Sequence, residues 1–217
     1  MINILLTSYP FAVVDDTPLK LIKRNKYNIL GDALKLKRKL TRNEILNHIC
    51  DADAVIAGTE KYDAEIFAAA PKLKIISRLG IGLDNIDFKK AKKYNVAITS
   101  TPDAPSLSVA ELTLGLIICC ARRVLKADKD LRAGKWNRIV GLDISGKTIG
   151  IIGLGRIGKL VVKMLSPFNC RILVNDILPD YKFIKENYAV LITKNEIYRQ
   201  ADVISLHLLL TVKTINM

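Results

Sequence analysis

Short apolar runs alternate with amphipathic stretches from one end of this chain to the other. The runs at Ile2–Leu6, Ala54–Ala57, Leu73–Ser77, Val96–Thr99, Thr148–Ile152, Ile172–Asn175 and Val203–Leu206 are continuously apolar or nearly so. Strands with that pattern are buried on both faces, the environment of a parallel sheet. Helix starts lie between them. Thr41-Arg-Asn-Glu44, Ser108-Val-Ala-Glu111 and Thr193-Lys-Asn-Glu196 each fit a capping box, in which side chain and backbone satisfy two orphan amides reciprocally. This strand–helix alternation predicts a doubly wound α/β fold with right-handed crossovers.

The alternation occurs twice, which divides the chain into residues 1–98 and 99–217. A segment from Ser106 to about Lys126 is apolar almost all round, as expected of a helix buried between domains or subunits. A polar link, Ala133-Gly-Lys-Trp-Asn-Arg138, leads to the second set, which opens near Lys147. No internal repeat and no low-complexity tract interrupts this plan.

Composition narrows the possible classes. With 217 residues, half of them hydrophobic, the chain can bury a substantial core. No apolar run reaches the roughly 20 residues that span a bilayer, and Met1-Ile-Asn-Ile-Leu-Leu-Thr-Ser-Tyr-Pro10 reads as a buried strand rather than a signal peptide. Cys50, Cys119, Cys120 and Cys170 form no C-x-x-C pair, which predicts buried free thiols in a reducing cytoplasm and no metal site. The formal charge of +13 admits an anionic partner. The basic runs at residues 34–39 and 88–93 carry no interleaved aromatics, however, and fit solvated faces better than a nucleic-acid surface.

The strongest chemical signal is Thr148-Ile-Gly-Ile-Ile-Gly153-Leu-Gly155-Arg-Ile-Gly158. It follows a predicted strand, opens a predicted helix over Arg156–Leu165, and is followed by a second strand ending on Asp176, 18 residues after Gly158. That is the context a dinucleotide fingerprint requires. Gly153 permits a tight turn, Gly155 has no Cβ to block a pyrophosphate, and Gly158 lets helix and strand pack closely. The amides around Arg156 and Ile157 would face the phosphates from the positive end of the helix dipole. Asp176 would accept both ribose hydroxyls and repel a 2′-phosphate; with Ile177 and Leu178 next and no Arg, the cofactor expected is NAD.

These residues, with Ile76-Ser-Arg-Leu-Gly-Ile-Gly-Leu-Asp-Asn-Ile-Asp87, Ser100-Thr-Pro-Asp-Ala-Pro-Ser-Leu-Ser-Val-Ala-Glu111, Gly134-Lys-Trp136 and Ala201-Asp-Val-Ile-Ser-Leu-His207, resemble the D-isomer-specific 2-hydroxyacid dehydrogenases, especially the 3-phosphoglycerate dehydrogenase branch. The resemblance covers essentially the whole chain. It implies a flavodoxin-like N-terminal lobe of a split substrate domain, joined to an incomplete Rossmann-type NAD-binding domain, with the active site between them. It implies that Leu79, Gly80 and Ile81 offer amides to the substrate carboxylate, with Ile81 also near the cofactor. Arg156 and Ile157 would line the pyrophosphate, Asp176 the ribose, and Leu208 the nicotinamide side. The activity implied is hydride transfer between NAD and a small D-2-hydroxy acid, 3-phosphoglycerate first, in a cytoplasmic homodimer built on the 106–126 helix and the Trp136 arm.

The family's acid/base histidine, its glutamate partner and its arginine come from segments after the last motif matched here, so the resemblance implies no catalytic residue among these 217 and no turnover by them alone. It places His207 at a strand end, apart from the catalytic histidine; His48 falls in an amphipathic helix pattern with Ile45, Leu46 and Ile49 and is not a catalytic candidate, and Leu209 stands where the family usually has proline. It also implies exposed Leu206, Leu208, Leu209 and Leu210, along a strand reaching from Val203 to Leu210, where further strands would pair. The alternative reading is an NAD-binding regulatory module of co-repressor type, or a fragment without function.

Overall fold

The computed structural model describes residues 1–31 and 33–217, which divide into two compact units, Met1–Ala104 and Pro105–Met217. The first unit holds β1 (Asn3–Leu6), α1 (Thr17–Arg24), β2 (Asn28–Leu30), α2 (Ala33–Leu36), α3 (Arg42–Ile49), β3 (Ala54–Ala57), α4 (Ala64–Ala68), β4 (Ile75–Arg78), α5 (Phe88–Lys93) and β5 (Ala97–Ser100). Its strands are parallel in the order β2-β1-β3-β4-β5, the flavodoxin-like arrangement. Leu5, Val55 and Ile76 from the sheet pack with Ile49, Ile66 and Phe67 from the helices into one fully buried core.

The second unit holds α6 (Ser106–Arg122), α7 (Val124–Arg132), β6 (Thr148–Ile152), α8 (Arg156–Leu165), β7 (Arg171–Asn175), α9 (Tyr181–Glu186), β8 (Val190–Leu191), α10 (Lys194–Gln200) and β9 (Val203–Leu206). The parallel order β8-β7-β6-β9 is the 3-2-1-4 order of a mononucleotide-binding half, with β6 at the reversal. Ile149, Ile151, Val161, Leu165 and Val174 form its core.

Capping boxes close at Thr41–Glu44 and Thr193–Glu196 as the sequence predicts. The third does not form. The helix begins earlier, at Ser106 after Pro105, so Ser108 is already inside its first turn and caps nothing. Nor is 106–126 one helix: Arg123 adopts the left-handed conformation (φ 53°) and accommodates the break between α6 and α7. No glycine marks that break. Within the chain, α6 is buried along one side only. Ser106, Ala110 and Ile117 are buried and α8 packs on the helix, whereas Leu112 is 62% exposed and Leu107 and Leu116 are exposed with it.

The cysteines are free, but not the buried set expected: Cys50 and Cys120 are exposed, Cys119 and Cys170 half-buried. β2 and β8 were not anticipated, being short edge strands with weak apolar patterns. β9 ends at Leu206 rather than running to Leu210, and Leu206, Leu208, Leu209 and Leu210 are exposed. Among the described residues no helix is long and apolar enough to cross a membrane.

Candidate functional site

At the carboxyl end of β6 the chain turns through Gly153, whose φ of +98° only glycine adopts without strain. A Cβ there would lie 2.3 Å from the carbonyl oxygen of His207, because the chain leaving β9 closes directly over the turn. A Cβ on Gly158, one turn into α8, would lie 2.1 Å from the Gly153 carbonyl oxygen. Gly155 differs from both. A Cβ built on it meets nothing within 4 Å, so the space above this N-cap residue of α8 is open. Arg156 and Ile157 form the first turn of that helix, at the positive end of its dipole.

Asp176 stands just past β7 and is tied into the same turn. Its carboxylate accepts the Leu154 amide at 2.5 Å and the Leu178 amide at 2.8 Å. A carboxylate offers about four acceptor sites, so two bonds leave capacity for a ligand. The Gly153 amide donates to the Asn175 carbonyl at 2.8 Å, which locks the glycine turn to the tip of β7. The His207 amide donates to the Ile152 carbonyl at 2.8 Å, and its ring Nε2 lies 3.0 Å from Ser205 Oγ. Burial pushes the imidazole pKa down, favouring the neutral ring. Leu208 follows, its Cδ2 within 3.0 Å of the Cβ position of Gly153. The fold therefore gathers Gly153, Gly155, Arg156, Ile157, Gly158, Asp176 and Leu208 at the carboxyl ends of β6, β7 and β9, at the point where strand order reverses. Open sheets bind ligands there. The open space at Gly155, the helix start and the strand-tip acid suit a dinucleotide's pyrophosphate and ribose.

Leu79, Gly80 and Ile81 form a separate group in the first unit, after β4. The Leu79 amide donates to Ala57 at 2.9 Å and the Gly80 amide to Thr101 Oγ1 at 2.9 Å, while the Thr101 amide returns a bond to the Gly80 carbonyl at 3.0 Å. Ile81 follows at 38% exposure. Gly80 has φ +139°, and a Cβ there would press on the Arg78 guanidinium.

Beside this loop lies a cavity of about 430 Å³ at the carboxyl ends of β1, β3 and β4, lined by Ser8, Tyr9, Lys39, Glu60, Arg78 and Leu79 among others. Sequence reasoning missed Glu60 and Arg78. Glu60 Oε2 accepts from Thr7 Oγ1 at 3.0 Å and from the Gly58 amide at 2.9 Å. Thr7 is fully buried and lies 3.0 Å from the buried Tyr62 hydroxyl, whose pKa burial pushes well up. Asn85 Nδ2 donates to the carbonyls of Gly58 and Glu60 and so pins the loop. Arg78 Nε is buried without a partner. The signal available was positional: Thr7, Gly58 and Glu60 follow the ends of β1 and β3, on either side of the strand-order reversal, and Arg78 ends β4. Among the described residues no group of three or more His, Cys, Asp or Glu is placed to hold a metal ion.

Residues 114–217 match the family described as D-isomer specific 2-hydroxyacid dehydrogenase, NAD binding domain. A D-3-phosphoglycerate dehydrogenase of Methanocaldococcus jannaschii is 42% identical over 182 residues, covering 81% of this chain and 34% of that protein. A glyoxylate reductase of Thermofilum pendens is 37% identical over 193 residues, covering 82% of this chain and 55% of that protein. Among solved structures, the NAD+-bound 3-phosphoglycerate dehydrogenase of Entamoeba histolytica superposes with a TM-score of 0.79 at 28% identity, covering 98% of this chain and 64% of that one. The chain thus spans between a third and just over half the length of these curated relatives.

Proposed function

Because this chain belongs to the D-isomer specific 2-hydroxyacid dehydrogenases, we propose that it binds NAD in its second unit and serves the oxidation of a small D-2-hydroxy acid, or the reverse reduction. The observation that carries this reading is the junction of Asp176 with the Gly153–Gly158 turn. In it, the open face at Gly155 receives the pyrophosphate, the first-turn amides at Arg156 and Ile157 donate to it, and Asp176 accepts from the adenosine ribose. Leu208 borders the nicotinamide side. The nicotinamide, when bound, supplies the acceptor or donor of the hydride.

Residues 1–98 belong on this reading to the substrate domain and 99–217 to the cofactor domain. Of the substrate loop, Leu79 and Gly80 have their amides committed to Ala57 and Thr101, so the contact with a substrate carboxylate falls first to Ile81 and reaches Gly80 only if Thr101 yields. His207 has a positioning role: its backbone closes over Gly153 and its ring bonds to Ser205. The exposed apolar residues of α6, with Trp136 at 89% exposure, suit a homodimer contact, and a cytoplasmic setting suits the free thiols. Titration of NADH fluorescence with the purified chain tests the proposal. Saturable binding, weakened by Asp176→Ala, is expected; no binding by folded protein would overturn it.

A further inference from the structure

We infer that the cavity of the first unit selects a substrate with a neutral, hydrogen-bond-donating tail, such as a 2,3-dihydroxy acid or its 2-keto counterpart, and disfavours a phosphorylated tail, with Glu60 as the specificity-determining residue. This rests on the 2-hydroxy acid reading above and narrows it.

The cavity has Leu79 of the candidate substrate loop in its wall, so a small acid held at that loop would direct its tail toward Glu60 and Arg78. Both bonds that fix the Glu60 carboxylate fall on Oε2, which leaves Oε1 for a ligand donor. The carboxylate cannot easily retreat. It is anchored to the buried Thr7 hydroxyl and to the Gly58 amide, on a loop pinned by Asn85. Gly58 lets it sit there, since a Cβ at that position would lie 2.8 Å from Oε2. Arg78 lines the same cavity, but its guanidinium folds back over Gly80 and donates to the Leu79 carbonyl, and its Nε is buried, so Glu60 is the group left to select the tail.

A hydroxyl suits that wall, since it can donate to Glu60 Oε1. A phosphate monoester carries a charge of about −1.5 to −2 at pH 7 and no donor when fully ionised. In this cavity it would meet the fixed Glu60 carboxylate, and like charges brought together away from bulk water cost affinity. Lys39 at the rim is exposed and solvated, so it offsets this only in part.

The test is calorimetric titration of the NADH-saturated chain with glycolate, D-glycerate and D-3-phosphoglycerate, each an unreactive partner for the reduced cofactor. The inference predicts that D-glycerate binds about tenfold or more tighter than D-3-phosphoglycerate, and that Glu60→Gln shifts the ratio about tenfold toward the phosphorylated acid. Phosphoglycerate binding as tightly as D-glycerate, or an unchanged ratio in Glu60→Gln, would overturn it while leaving the parent reading in place. Failure of all three acids, glycolate included, to bind NADH-loaded protein would overturn the 2-hydroxy acid reading and this inference with it.

Discussion

The carboxylate of Asp176 accepts the backbone amide of Leu154 at 2.5 Å, which joins the tip of β7 to the middle of the glycine turn. One side chain thus braces the turn and presents charge where a ribose would lie. For Asp176→Asn the expected outcome is a loss of NADH affinity of about 10- to 100-fold, the range for a hydrogen bond to a charged group. NADPH should lose far less, since the repulsion of its 2′-phosphate is removed at the same time. Parallel fluorescence titrations with the two cofactors check this; equal losses for both would show that Asp176 only supports the loop.

The two glycines flanking the start of α8 should separate stability from binding. Gly158→Ala places a methyl against the Gly153 carbonyl, a backbone atom with nowhere to go. Overpacking of that kind costs about 1–3 kcal/mol and lowers Tm by roughly 5–15 °C. Gly155→Ala meets no protein atom and keeps an allowed φ of −75°. Its poorer N-cap character and the stiffer unfolded chain nearly offset each other, so Tm should stay within roughly 3 °C. NADH affinity should nevertheless fall at least about tenfold, because the methyl occupies the pyrophosphate space. Differential scanning fluorimetry and cofactor titration on both variants provide the comparison.

Much of this geometry was legible in the sequence because it depends on local rules. The turn at Gly153 and the contact at Gly158 demand the absence of a Cβ, and β3, β6 and β9 fall at Ala54–Ala57, Thr148–Ile152 and Val203–Leu206, where continuous apolar runs had placed them. What escaped depends on packing between distant segments. Arg123 breaks a helix that its neighbours' propensities would continue, and Ser108 has the right partner at Glu111 but the wrong position after Pro105. Glu60 and Arg78 come from different strand ends, and their relation to one cavity exists only once β1, β3 and β4 are in register.

Acid should loosen the first unit through Glu44. Its carboxyl is pulled down from an ordinary 4.5 to about 2, first by the two bonds from Arg38 at 2.8 and 2.7 Å and then by the Thr41 cap. A carboxyl whose folded pKa lies below its unfolded value adds stability that is complete above about 4.5 and is lost as pH falls toward 2. Asp63, lowered by Arg42, acts in the same direction. Urea unfolding of Glu44→Gln at pH 6, 4 and 2.5 should therefore show a shallower decline than the wild type; identical slopes would remove Glu44 from the account.

The central claim is that the second unit binds NAD at the glycine turn and the tip of β7, and amide-resolved NMR locates that event directly. On adding NAD to the isotope-labelled chain, the account predicts saturable shift changes concentrated at residues 153–158 and 176–178, extending to Leu208. Changes confined to other surfaces, or none at cofactor concentrations that saturate comparable sites, would contradict it.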